Sequence, residues 1–183
     1  MTAAADESTV PAGEPGSGVY FLIDEAWQPT EDAPDTPITA IIGAWPLNDG
    51  VRGRFQPNPL YFPSTKDSPL DPVDAVLGRL ARGEFDADLL PEVLGDVVLG
   101  IALDEQGIAI VRRAPDGVPA VLVTTSYGHR ERVDAAGWRN VTLTQLAQAL
   151  PARGVDVLLN PGAPTSMRVL ADAVRAAAEG QDE

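Results

Sequence analysis

The chain has 183 residues, with 27 acids against 13 basic residues and a net charge of −14. That balance speaks against nucleic acid and anionic membrane surfaces as partners, since both are held by clustered Lys and Arg. With no cysteine, disulfides, thiolate chemistry and cysteine-ligated zinc are excluded together.

No apolar run approaches the roughly 20 residues of a membrane span. The N-terminus has no basic region followed by an apolar core, so no secretory signal is read there and a cytoplasmic location is expected. A chain of this length buries roughly 70% of its unfolded surface without staples, and one domain is the expectation.

Residues 1–18 are small, acidic and interrupted by Pro11 and Pro15. They hold too little apolar surface to offset ordering and read as a disordered tail. Residues 19–179 read as one α+β domain, and 180–183 as a second disordered tail. The first strand is expected at 19–23, followed by an acidic, Pro-rich loop carrying Trp27. Residues 37–47 are apolar and β-branched. Asn48-Asp49-Gly50 marks a tight turn and 51–55 returns, which predicts a hairpin with Trp45 on its packed face.

Pro57, Pro59, Pro63 and Pro69 forbid a central strand or helix interior over 56–70. An extended surface segment pinned by Tyr61 and Phe62 is expected. Asp71 then caps a helix with Pro72 at its first position and Asp74 in its first turn. Val73, Val76, Leu77 and Leu80 share its apolar face, and Gly83 ends it. A second short helix starting from Asp86 or Asp88 carries Leu89, Leu90, Val93 and Leu94.

Three strands follow at 97–103, 108–113 and 119–125, with connectors that predict an antiparallel meander. Residues 126–137 read as a polar loop. Thr142-Leu143-Thr144-Gln145 is a capping box that opens a helix over Leu143, Leu146, Ala147 and Leu150. Val155, Val157, Leu158 and Leu159 form a covered strand stopped by Asn160-Pro161-Gly162. Met167, Leu170, Ala171, Val174 and Ala178 recur at helical spacing and predict a helix starting behind Thr165 or Ser166. The sum is α+β: six or seven strands in a mostly antiparallel or mixed sheet, with four helices packed on it.

No stretch carries a decisive catalytic pattern. The Asn160 turn before a helix would offer free amides to an anion, yet no Walker loop or G-x-G-x-x-G accompanies it, and a purely structural turn is the favoured reading. His129 is the single histidine. A shuttle role with Ser126 as nucleophile and Asp134 as orienter is conceivable. The charged surroundings and the absence of a G-x-S-x-G elbow favour a solvated loop histidine. One imidazole without a ligand cluster does not make a metal site. Accordingly no catalytic, cofactor-binding or metal-binding residue is assigned. Trp27, Tyr61, Phe62 and Trp138 are the candidate partner-binding residues, because aromatics in Pro-rich loops either pin the loop or anchor another protein.

Two stretches carry a family resemblance. Gly53-Arg54-Phe55-Gln56-Pro57-Asn58-Pro59-Leu60-Tyr61, continuing through Asp67-Ser68-Pro69 and Asp71-Pro72-Val73-Asp74-Ala75, resembles the actinobacterial type VII secretion system-associated proteins. So do Val133-Asp134-Ala135-Ala136-Gly137-Trp138 and the run Val155 to Gly162. The last part, with 121–126 before it, is similar to the SseB N-terminal domain family, in which a strand ends in an Asn-Pro-Gly-type turn. The resemblance spans roughly 19–175. It implies a cytoplasmic, non-enzymatic accessory or adaptor that binds a secretion component or substrate, and it brings no catalytic residues and no cofactor. Tyr20-x-x-x-Asp24 also matches an export signal of type VII substrates, but its place in a strand favours a chance match. The alternative reading is a small-molecule or peptide-binding enzyme with a site near His129 and the Asn160-Gly162 turn. Oligomeric state is not legible.

Overall fold

The computed structural model describes residues 17–31, 34–84 and 89–180. Both sequence-predicted tails fall largely, and the caps Asp86 and Asp88 wholly, outside the described residues. The fold is α+β, as expected, but richer than six or seven strands. The described residues form ten strands, two of them only two residues long, and five helices, with the strands divided between a four-stranded and a six-stranded sheet.

The first sheet is built on the predicted hairpin. Strand β1 (Gly18–Ile23) pairs antiparallel with β2 (Ile41–Asn48), which turns through Asp49 and Gly50 into β3 (Val51–Arg52). Asp49 and Gly50 both have positive φ, 51° and 80°. This is the tight turn whose twist suits a two-residue hairpin. The first proline-run residues form β4 (Gln56–Pro57), an edge addition to β2. Gly43 makes this possible, because a Cβ there would lie 2.3 Å from Phe55 Cζ and 2.5 Å from the Gln56 carbonyl oxygen. Trp45 packs toward the core at 4.9 Å from the Phe55 ring, and its Nε1 donates to Asp96 Oδ2 at 2.7 Å.

Helix α1 (Pro72–Ala81) starts as its sequence dictates, with the Asp71 side chain accepting from the Asp74 amide at 2.9 Å. Its buried face, Val73 and Leu77, packs with α2 (Leu89–Asp96) against both sheets. One apolar cluster joins Ile42 and Phe55 of the first sheet region to Leu99, Val123, Val157 and Leu159 of the second.

In the second sheet β7 (Pro119–Thr124) is central. It pairs antiparallel with β5 (Leu99–Leu103) and β6 (Val111–Arg113) on one side, and parallel with β9 (Asp156–Leu159) on the other. The expected meander is thus modified. Beyond Val121, β6 gives way and β5 meets β7 directly. Helix α3 (Tyr127–Arg130) lies inside the stretch 126–137 read as loop, and β8 (Gly137–Val141) begins at its last residue. Gly137-Trp138-Arg139-Asn140-Val141 is too mixed to announce a strand, but it completes the open edge of β5 over five paired positions. Helix α4 (Leu143–Ala149) carries the predicted capping box.

The most consequential departure follows β9. The chain does not enter a helix at Thr165 or Ser166. It folds back as β10 (Met167–Val169), antiparallel to β9, and α5 (Ala171–Glu179) begins only at Ala171. The apolar positions Met167 and Val169 satisfy a strand as well as a helix, and sheet pairing decides between them. The Asn160 turn therefore opens no helix, and the anion site such a terminus would offer is absent. No helix among the described residues is long and apolar enough to cross a membrane.

Asn160 is fully buried with φ 47°, a left-handed conformation Asn tolerates better than most residues. Its Oδ1 accepts from the Thr125 amide at 2.9 Å, and its Nδ2 donates to Thr125 Oγ1 at 2.9 Å. Asn160→Gly removes these bonds while accommodating the backbone, and should cost about 2 kcal/mol. Asn160→Ala should cost about 1 kcal/mol more, because alanine adds left-handed strain. Urea denaturation of the two variants checks both values.

Candidate functional site

A cleft of about 520 Å³ opens between the 61–70 segment, the outer side of α1, α3 and the turn after β9. Its α1 wall is made of small residues, Ala75, Gly78 and Ala81, one helical turn apart in pairs. Pro63, Pro69, Leu70 and Pro164 add apolar surface, and Lys66, Arg82 and Arg132 stand among its lining residues. Lys66 is the only lysine of the chain.

His129 and Asp74 lie at the cleft's inner end. His129 is 1% exposed and Asp74 7%, which corrects the expectation of a solvated loop histidine. The short helix α3 turns the imidazole inward, below the exposed Tyr127. His129 Nε2 sits 3.3 Å from Asp74 Oδ2, close enough for an ion pair but not aligned as a hydrogen bond, and Nδ1 has no partner. Asp74 also accepts from the Thr165 hydroxyl at 2.5 Å and from the Leu70 amide at 3.1 Å. Burial by itself would raise the Asp74 carboxyl. The His129 contact, the Thr165 hydroxyl and the Leu70 amide outweigh it and hold the group below the usual carboxylate range.

Beside it, the buried Asp71 accepts from Thr125 Oγ1 at 2.5 Å. Burial, reinforced by the charge on Asp74, pushes Asp71 above the ordinary carboxylate value despite the hydrogen bonds it receives. Asp71, Thr125 and Asn160 thus form one chain of polar contacts, and His129, Asp74 and Thr165 a second. The first turn of α1 supplies a carboxylate to each.

A third carboxylate fixes the outer wall. Asp24, at the end of β1, accepts from the Ala26 amide at 3.0 Å, the Ser64 amide at 2.8 Å and the Tyr61 hydroxyl at 3.3 Å. Desolvation opposes its ionisation, but the amides and nearby hydroxyls prevail and lower it. The Tyr61 hydroxyl also donates to the Pro69 carbonyl at 2.9 Å. Burial and the Asp24 charge push that phenol well above its ordinary value.

The four aromatic candidates separate. Tyr61 is half-buried and pins the proline-rich segment. Phe62 does not pin it: the ring is 75% exposed. Phe62 and Trp27 share a shallow hollow of about 360 Å³ with Thr39, Ala40, Pro63 and Ser64. Pro63 lines this hollow and the cleft, so the two depressions adjoin. Trp138 lies elsewhere, against the small cluster of Ala102, Leu122 and Leu158, with the Arg130 guanidinium 5.0 Å from its ring centre.

Ser126 and Asp134 do not line the cleft, so the nucleophile and orienter considered with His129 are not assembled around it. Among the described residues no three His, Asp or Glu side chains are grouped to hold a metal ion. Sequence reasoning missed Asp74 as the neighbour of His129, Thr165 as the donor to Asp74, and the link from Asp71 through Thr125 to Asn160. Asp74 was legible only as a helix-start residue. Comparisons with protein-family models, with curated proteins and with solved structures give no match for this chain.

The carboxylate shifts make a signed prediction. Asp24 and Asp74 have folded values below their unfolded ones, so they contribute stability above pH ~4 that is lost as the pH falls through the folded values. Asp71 is raised, so its contribution is complete below pH ~4 and is lost as the pH rises. Asp74→Asn should therefore flatten the fall in urea midpoint below pH ~4, and Asp71→Asn should remove the gain in midpoint that the raised Asp71 gives as the pH is lowered toward ~4. Denaturation series from pH 7 to 3 measure both slopes.

Proposed function

We propose that the protein is a non-enzymatic interaction module that receives a segment of a protein partner in the cleft and the adjoining Trp27–Phe62 hollow. The observation carrying this reading is the continuity of the two depressions through Pro63. Together they offer an apolar floor, an exposed aromatic ring, polar groups among the lining residues and a buried imidazole nitrogen without a partner. Such a combination of apolar area with a few fixed polar groups is what peptide recognition uses.

The resemblance to type VII secretion system-associated proteins supplies the partner class: a secretion component or substrate, met in the cytoplasm.

The order of groups in the cleft favours binding over hydrolysis. Nucleophilic catalysis needs a hydroxyl beside the imidazole, with the carboxylate behind it. Here the carboxylate stands between: Thr165 Oγ1 donates to Asp74, and Asp74 faces His129. The Thr65 and Ser68 hydroxyls lie 3.1 Å apart and bond to each other.

Gly78→Leu tests the reading without harming the helix. A Cβ at Gly78 has ordinary contacts, 3.5 Å to Arg82 Nη1 and 3.7 Å to Thr165 Cγ2, and the longer side chain fills the cleft. The tagged wild-type chain should retain a secretion component or substrate from the native cell. Gly78→Leu and Phe62→Ala should each weaken retention at least tenfold, with melting temperature unchanged or raised for Gly78→Leu. Equal retention by all three chains would remove the cleft from the account.

A further inference from the structure

The tripeptide Asp-Gly-Val occurs at 49–51 and again at 116–118, both times in a turn whose Asp and Gly are exposed. In both the glycine has positive φ, 80° at Gly50 and 85° at Gly117. The same three residues therefore meet two different surroundings, and the difference bears on one reaction. In Asp-Gly the glycine nitrogen can attack the aspartyl side-chain carbon, because glycine has no side chain to obstruct the approach. The reaction needs a carboxyl that is not held elsewhere and a glycine amide free to give up its proton.

At 116–118 both groups are held. The Gly117 amide donates to the Ala114 carbonyl at 2.8 Å. Asp116 Oδ2 accepts from Arg168 Nε at 2.6 Å, and Oδ1 accepts from the Val118 amide at 3.3 Å. The Arg168 contact keeps Asp116 below the usual carboxylate range, and an ionised carboxylate resists a nucleophile. At 49–51 neither group is held. Among the described residues the Asp49 carboxylate has no hydrogen-bond or ion-pair partner, and the Gly50 amide donates to no group. Beyond the turn lies β3, only two residues long and paired with β2 at Val51 and Arg52 alone, so the turn opens locally at little cost.

We propose that Asp49 is a site of spontaneous isoaspartate formation. The Gly50 nitrogen bonds to Asp49 Cγ, and the carboxyl hydroxyl leaves with the amide proton as water. Water then opens the ring at the Asp49 main-chain carbonyl carbon, breaking that carbon's bond to the Gly50 nitrogen. The chain now runs through Cβ and Cγ of residue 49, and the water lost has been regained. One carbon is thereby added to a two-residue turn whose twist suits its strands at the original length. The pairing of Leu47 with Arg52 is lost with it, and so are the ion pairs of Arg52 with Glu92 at 2.6 Å and Asp96 at 3.0 Å. This site is separate from the cleft, and either proposal can fail without the other.

The test holds the full chain in warm neutral buffer and samples it over weeks. Isoaspartate is counted by enzymatic methylation of its free α-carboxyl and located by peptide mapping, where the isomer has the parent mass and a separate retention time. Product should accumulate at 49 at least tenfold faster than at 116. In urea the two rates should converge, because the reacting tripeptide is the same and the fold no longer distinguishes the sites. Asp49→Glu, whose ring would need one more carbon, should abolish product at that position. The purified isomerised chain should exchange its amides at 51–52 faster than the parent and have a lower urea midpoint. The proposal is overturned by no product at 49, by equal or faster formation at 116 in native buffer, or by a difference that persists in urea. An isomerised chain with unchanged exchange at 51–52 overturns it equally.

Discussion

The structure depends on the first turn of helix α1 being tied, through buried carboxylates, to pieces of chain far away in sequence. Asp71 caps the helix with one oxygen and with the other meets Thr125, 54 residues on, at the end of the central strand. Thr125 is bonded in turn to Asn160. Asp74 reaches His129 and Thr165. A buried carboxylate is costly unless it is satisfied, and the cost of breaking one partner exceeds the value of the bond itself. Hence α1, the end of β7, α3 and the turn after β9 keep one arrangement, and the cleft is the space that arrangement leaves.

The two carboxylates are not equivalent. Asp74 is held ionised by an imidazole, a hydroxyl and an amide. Asp71, deeper and beside it, is pushed upward by burial and by its neighbour's charge. Two acids three residues apart at a helix start commonly serve the helix dipole. Here each also secures a different distant segment. The same economy operates at Asp24, which ends β1 and fixes the proline-rich segment through backbone amides of Ala26 and Ser64.

Much of this was readable in the sequence, where the signal is local. The Asp49-Gly50 turn, the Asp71-Pro72 helix start, the Thr142–Gln145 capping box and the apolar run before Asn160 each specify their own conformation within a few residues. What was not readable is set by pairing across distance. Residues 137–141 become a strand because β5 offers an open edge, not because their own pattern demands it. Met167 and Val169 fit a helix or a strand equally, and the neighbouring β9 decides.

The site was the least legible part. His129 lies in a charged, loop-like stretch, and only the fold shows that Tyr127 to Arg130 coil into a helical turn that drives the ring inward. Asp74 and Thr165 are 91 residues apart, and no spacing rule connects them. Phe62 and Tyr61 are adjacent and aromatic, yet one ring is exposed and the other residue is bound to Asp24 and Pro69. That difference follows from which way each ring turns along the non-regular 61–70 segment, which composition does not carry.

The central claim is that Asp74 joins α1 to the turn after β9 and so holds the cleft open. A double-mutant cycle between Asp74→Asn and Thr165→Val, read by urea denaturation at pH 7, tests it most directly. The account predicts a coupling of about 1 kcal/mol or more between the two positions. Strictly additive losses would contradict it.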